Sequence, residues 1–424
     1  MFSPVFDSLL PFAVWLIAAL TIGCMLARPW KIAEAWWAAG GAALLIGCRL
    51  LPWHSAVLAM GKGLDVYLFL AGMMLLSELA RREGVFDWCA ALAVAHARGS
   101  QARLFFLIYG VGVIITVFLS NDATAVVLTP AVFAVTKAAR VEKPLPYLFA
   151  CALVANAASF VLPISNPANL VLFGGHLPAL AEWLRLFALP SLLSIAATAA
   201  ALYWRVRKAV SGEITAPPAP ARLSTTGRFA LGGIATAIVV LLAASAFHRD
   251  LGAPTLGVAI FALVLVGFCD ARALWEAPRQ VSWGVIPLVA GLFVIVEAVN
   301  RAGALGATIQ ALQVLARLPG WQGDLAAAFG VTILSNIINN LPSGLITGMA
   351  VVQAHVSGSL RSALLIGVDL GPNLSVTGSL ATILWLTALR RERLTVNFAS
   401  FLRVGVIVTP AALILAVLVS AFTR

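Results

Sequence analysis

Four short polar clusters interrupt an otherwise apolar chain. They are Ser120-Asn121-Asp122-Ala123-Thr124, Ser165-Asn166-Pro167-Ala168-Asn169, Ser335-Asn336 with Asn339-Asn340-Leu341-Pro342, and Asp369 with Pro372-Asn373-Leu374-Ser375-Val376-Thr377-Gly378-Ser379. Amides and hydroxyls of this kind can hydrogen-bond a small neutral or weakly acidic polyhydroxyl solute, or a monovalent ion. No Lys or Arg accompanies them to offset a multiply charged anion. The candidate substrate contacts are Asn121, Thr124, Asn166, Asn169, Asn336, Asn339, Asn340, Asn373 and Thr377. Asp122 is the sharpest residue: a carboxylate inside a bilayer is costly and functional by default, so it is expected to exchange a proton or cation. Asp369, just before Gly371-Pro372, invites the same role. The rival role for all of them is capping helix ends that Pro and Gly expose.

Other chemistries find no residues. Neither H-E-x-x-H nor G-x-S-x-G occurs, so neither an intramembrane metalloprotease nor a serine hydrolase is indicated. Cys24, Cys48, Cys89, Cys151 and Cys269 are scattered, without the spacing of a disulfide framework or zinc site. His54, His96, His176, His248 and His355 fall in or near connections and read as surface residues. No cofactor or metal site is expected.

The elements that position the clusters follow from composition. Of 424 residues 61% are hydrophobic and 11% charged, against roughly 25% charged in a soluble domain, so the solvent is lipid. Continuous apolar runs such as 231–246 exclude a β-barrel, whose strands alternate. The fold class is an all-α polytopic membrane protein, with spans at 9–27, 34–50, 64–80, 147–174, 180–204, 229–246, 254–270, 283–299, 362–389 and 398–422. The first run lacks a basic leader and reads as a retained helix. Two further apolar regions, 102–139 and 325–354, are broken centrally by polar clusters and are expected to be re-entrant helical hairpins. The basic, Pro-rich stretch 205–228 is read as a cytoplasmic linker between halves 1–204 and 229–424.

Those halves repeat. Ala71-Gly72 with Glu78, Arg82 and Gly84 recurs 219 residues later as Ala290-Gly291 with Glu297, Arg301 and Gly303. Ser120-Asn121 finds a match in Ser335-Asn336, and Pro167-Ala168-Asn169 a looser one in Pro372-Asn373. Each Glu stands four residues before its Arg, which predicts an i,i+4 ion pair. With five spans and one hairpin per half, the second half enters the membrane inverted, with broken helices meeting at mid-membrane. The net charge of +11 lies in connections beside spans and so orients helices, with no nucleic-acid partner implied. If the loops flanking 102–139 are cytoplasmic, 20 of the 28 Lys and Arg lie inside, and both termini face outside. Inverted repeats with broken helices are the architecture of secondary transporters.

Three stretches carry a family resemblance: Ser120 to Pro130, Ser335 to Pro342, and Asp369 to Trp385. They resemble the signature segments of the bacterial arsenical-pump membrane protein family, the ArsB type within the ion transporter superfamily. The resemblance covers nearly the whole chain. It implies efflux of trivalent arsenite or antimonite across the inner membrane, either driven by protons or coupled to a soluble partner ATPase on the cytoplasmic side. The first stretch is shared by sodium/proton antiporters and by cation-coupled carboxylate and sulfate carriers, which stand as alternatives. Arsenous acid, mostly neutral and bearing three hydroxyls, agrees with an Asn/Ser/Thr site without basic residues.

Overall fold

A computed structural model describes residues 4–173, 177–214, 222–356 and 358–422. His176, Arg424 and the Pro-rich centre of the linker, 215–221, lie outside them. The regular structure among the described residues is helical, with one isolated antiparallel bridge between Ser100 and Glu213. Six helices are long and apolar enough to cross a membrane, and a seventh span arises if the bent pair Trp53–Lys62 and Leu64–Arg82 is counted as one. Large side chains such as Phe12, Val239, Phe268 and Ile337 face outward, where lipid replaces water as their solvent.

Every stretch read as a span falls on a helix or on a helix pair. The two broken spans part where Pro and Gly predict it. Leu145–Ala157 and Pro167–Phe173 flank an irregular segment with a short 3-10 turn, and Gly358–Leu370 and Leu380–Arg391 flank another. The region 102–139 forms Gln101–Phe118, a break at Leu119-Ser120, and a helix from Asn121 to Ala138 that is π-wound over Thr124–Leu128. The region 325–354 forms Gly320–Ile338 and Asn340–Ala354, joined at Asn339. Asn339 has φ 79° and ψ 154°, a conformation that L-residues rarely hold outside functional turns.

Four short helices go beyond the sequence expectation: Trp53–Lys62, Val85–His96, Ala273–Gln280 and Ala304–Ala316. Gly84 (φ 73°) and Gly303 (φ 88°) explain two of them. Each ends a long helix in a left-handed turn that glycine makes without a Cβ penalty, and each opens one of the new helices.

The repeated Ala-Gly step has an equally direct cause. A Cβ on Gly72 would lie 2.7 Å from the backbone of Thr255 and Leu256, and one on Gly291 would lie 2.8 Å from the backbone of Ala38. The Leu64–Arg82 helix therefore packs tightly on Gly252–Cys269, and Val285–Arg301 on Glu34–Gly47. These are reciprocal contacts, each joining one half of the chain to the other.

The ion pairs differ between the halves. Glu297 meets Arg301 at 3.0 Å, at the expected i,i+4 spacing, and also Lys62 at 3.6 Å. Glu78 instead pairs with Arg81 at 2.5 Å. Arg82 turns away to Asp270 (2.7 Å), Glu276 (2.9 Å) and Glu83 (2.5 Å). Two acidic groups across the helix interface offer Arg82 more than one on its own helix. The guanidinium of Arg82, with the Arg272 backbone N–H, holds the Asp270 carboxyl below the usual carboxylate range.

Candidate functional site

The helix starts bring the polar clusters together. Asn121, Asn340, Pro167 and Leu380 each begin a helix in the middle of the molecule. The capping residues are Ser120, whose hydroxyl accepts from the Ala123 N–H, and Asn166, whose Oδ1 accepts from the Ala168 N–H at 3.0 Å. Asn339 accepts from Leu341, and Ser379 from Thr382. Competing side-chain hydrogen bonds are what favour Ser and Asn at such ends. Residues from all four ends line one small crevice: Asn121, Asp122, Asn166, Pro167, Asn340, Leu341, Ser379, Leu380 and Ala381. Its free space is about 10 Å³, near the minimum for one water molecule. That space is too small for a solute larger than water, so a ligand requires these helix ends to part.

The helix starts at Asn121 and Asn340 stand 219 residues apart, the offset of the Ala-Gly motif in the sequence. Ser335 and Asn336 are still inside the Gly320–Ile338 helix. The helices beginning at Leu145 and Pro167 recur 213 residues later at Gly358 and Leu380. At that offset Asn166 aligns with Ser379, and Asn156 with Asp369. At the offset of 219, Leu341 aligns with Asp122.

Two larger cavities, or vestibules, are lined by residues of the helices that begin at the crevice. One, of about 90 Å³, is lined by Ser120, Asp122, Val126, Ser77, Glu78, Gln280, Ser282 and Leu384 among others. The other, of about 330 Å³, is lined by Leu170, Val171, Leu345, Lys62, Asp65, Phe293, Glu297, Arg249 and Gln353 among others. Offsets of 219 and 213 map Glu78 onto Glu297, Val126 onto Leu345 and Val171 onto Leu384. The larger cavity shares no lining residue with the crevice, whereas the smaller shares Asp122 and Pro167. Asp122 is partly exposed and lines both the crevice and the Glu78-side vestibule.

The nine candidate contacts divide. Asn121, Asn166 and Asn340 line the crevice and are each at most 3% exposed. The others are engaged in holding the broken helices. Thr124 bonds Thr116 at 2.8 Å. Asn169 donates to the carbonyls of Ser159, Leu162 and Pro163. Asn336 donates to the Thr332 and Gly371 carbonyls and accepts from Ser375 at 2.6 Å. Thr377 donates to the Asn336 carbonyl at 2.9 Å, and Asn339 to the Thr377 carbonyl at 3.4 Å. Asn373 accepts from Asn156 and donates to Leu153 O, both at 3.0 Å. Asp369 is fully buried outside the crevice, where its Oδ1 accepts from Asn166 Nδ2 at 2.8 Å.

Sequence reasoning left Ser379 and Asn156 off the candidate list. Ser379 carried a usable signal, a Ser one residue before an apolar helix; Asn156 was marked only by being a lone amide in an apolar run. The five cysteines are unpaired. No cluster of three or more His, Cys, Asp or Glu suits a metal among the described residues. His54, His96, His248 and His355 are exposed.

The family model described as citrate transporter (CitMHS) matches residues 13–368. An arsenical pump membrane protein of Escherichia coli is 25% identical over 406 residues, covering 93% of this chain and 94% of its own. One from Yersinia enterocolitica is 28% identical, covering 80% of this chain and 81% of its own. An uncharacterized transporter of Mycobacterium tuberculosis is 26% identical, covering 88% and 90%. Among solved structures, the YdaH transporter of Alcanivorax borkumensis matches with TM-score 0.55 at 15% identity, covering 89% of each chain. That likeness speaks for the fold.

Proposed function

The chain belongs to the citrate transporter (CitMHS) family, and from that premise we propose that it extrudes arsenite or antimonite across the bacterial inner membrane in exchange for protons. Its arsenical-pump relatives suggest the substrate. The observation that carries the mechanism is the placement of Asp122, the crevice's own carboxylate, between amides from both halves and one of two matched vestibules.

In this reading, halves 1–204 and 229–424 are inverted copies joined by the linker 205–228. The regions around the Asn121 and Asn340 starts are re-entrant hairpins, and the matched vestibules are the two access routes. Movement of the hairpins and broken helices against the Leu64–Arg82 and Val285–Arg301 helices opens one route as it closes the other. Asn121, Asn166 and Asn340 hold the solute's oxygens. Asp122 binds a proton when the solute leaves and releases it when the next one enters. Thr124, Asn169, Asn336, Asn339, Asn373 and Thr377 support the site by fixing the helix ends. Basic loops are placed in the cytoplasm and both termini outside.

The direct test is flux in everted membrane vesicles. Radiolabelled arsenite should accumulate on imposing a proton gradient, and a protonophore should dissipate it. Accumulation that needs ATP and persists with the protonophore would point to a partner ATPase. Sodium-dependent accumulation of citrate, without arsenite movement, would favour a cation-coupled carboxylate carrier. The absence of Lys, Arg and His from the crevice lining speaks against a tricarboxylate there.

A further inference from the structure

Asn166 is the one crevice amide whose two ends are both assigned by neighbours. Its Oδ1 must face the Ala168 N–H, an orphan donor at the start of the Pro167–Phe173 segment, because the amide nitrogen could not accept that bond. Its Nδ2 faces Asp369 Oδ1 at 2.8 Å. Flipping the amide would set oxygen against carboxylate and N–H against N–H. Asp369 comes from the end of the Gly358–Leu370 helix in the other half, with no measurable exposure. It does not line the crevice. An amide nitrogen carries two hydrogens, so one serves Asp369 and the other remains for the crevice.

We propose that Asp369 is a positioning residue: by fixing the Asn166 amide it presents an N–H donor to the crevice, and so selects a solute that offers acceptor oxygens. Asn121 is arranged to the same effect. Its Oδ1 accepts from the Asp122 N–H at 2.9 Å, which leaves its nitrogen for the crevice. Two donors of fixed sense thus face the crevice beside its one carboxylate, Asp122. A ligand with oxygens that accept from Asn121 and Asn166, and one hydroxyl that donates to Asp122, matches this set. This inference rests on the carrier reading above, and it assigns Asp369 to orientation instead of proton exchange.

The test compares two substitutions in everted vesicles, using arsenite and citrate as probes. Asp369→Asn keeps an acceptor for Asn166 and removes the ionisable group; Asp369→Leu removes both. The proposal expects Asp369→Asn to transport with KM within about threefold of wild type and with unchanged proton counterflux. Asp369→Leu should raise KM at least tenfold with a smaller change in kcat. Loss of proton counterflux in Asp369→Asn, or equal damage in both variants, would overturn it. If wild type moves neither probe, the carrier reading fails by itself. The positioning contact is then judged by thermal unfolding of detergent-purified Asp369→Leu, Asn166→Leu and the double variant. Tm losses that do not add support the contact, and strict additivity overturns it.

Discussion

Asn156 and Asn373, 217 residues apart in the chain, share a fully buried hydrogen bond of 3.0 Å, and Asn373 passes its own N–H to the Leu153 carbonyl. One amide thus ties the break in the Gly358–Leu370 span to the Leu145–Ala157 helix of the other half. Inside a membrane such bonds contribute about 0.6–2 kcal/mol each. Replacing Asn373 by Leu strands the Asn156 amide N–H, while the Leu153 carbonyl keeps its helical bond, so thermal unfolding in detergent should show a loss within that range. The Asn156→Leu/Asn373→Leu double variant should lose less than the two single losses combined.

Gly291 sets how closely two helices approach. Gly291→Leu forces a side chain into the Ala38 backbone and should destabilise by about 1–3 kcal/mol, the usual cost of overpacking. Gly306, with nothing within 4 Å of its Cβ position, serves as control: Gly306→Leu should leave Tm unchanged.

The Arg82–Asp270 contact should make stability depend on acid. Arg82 depresses the Asp270 carboxyl in the folded protein, so the contribution is fully present above the ordinary carboxylate pKa of about 3.9. It is lost as pH falls through the depressed value. Wild type should therefore lose its advantage over Asp270→Asn below about pH 4, measured by Tm against pH. A constant difference across that range would contradict the assignment.

The vestibules predict sidedness. Gln353 and Ser282 are exposed and line opposite cavities. With the basic loops inside, Gln353→Cys should react with a membrane-impermeant maleimide in intact cells, and Ser282→Cys in everted vesicles. The reverse pattern would invert the topology.

Much of this was legible in the chain itself. Apolar runs gave the spans, Pro and Gly gave the breaks, and the repeated Gly72/Gly291 and Gly84/Gly303 turned out to mark close packing and left-handed turns. The position of the second break was not legible. Ser335-Asn336 matches Ser120-Asn121 in type, but it lies inside a helix that continues through Ile338, so the break falls at Asn339, and only hydrogen-bond geometry reveals that. Nor could sequence separate Asn166, which faces the crevice, from Asn373, whose amide is consumed by Asn156 and Leu153. The i,i+4 rule failed at Arg82 because Asp270 and Glu276, nearly two hundred residues away in sequence, outweigh a local partner.

The most direct measurement is proton counterflux during arsenite uptake into everted vesicles carrying Asp122→Asn. The account predicts that arsenite still equilibrates across the membrane, but neither accumulates against its gradient nor moves protons. Wild-type accumulation and counterflux in that variant would contradict the role given to Asp122.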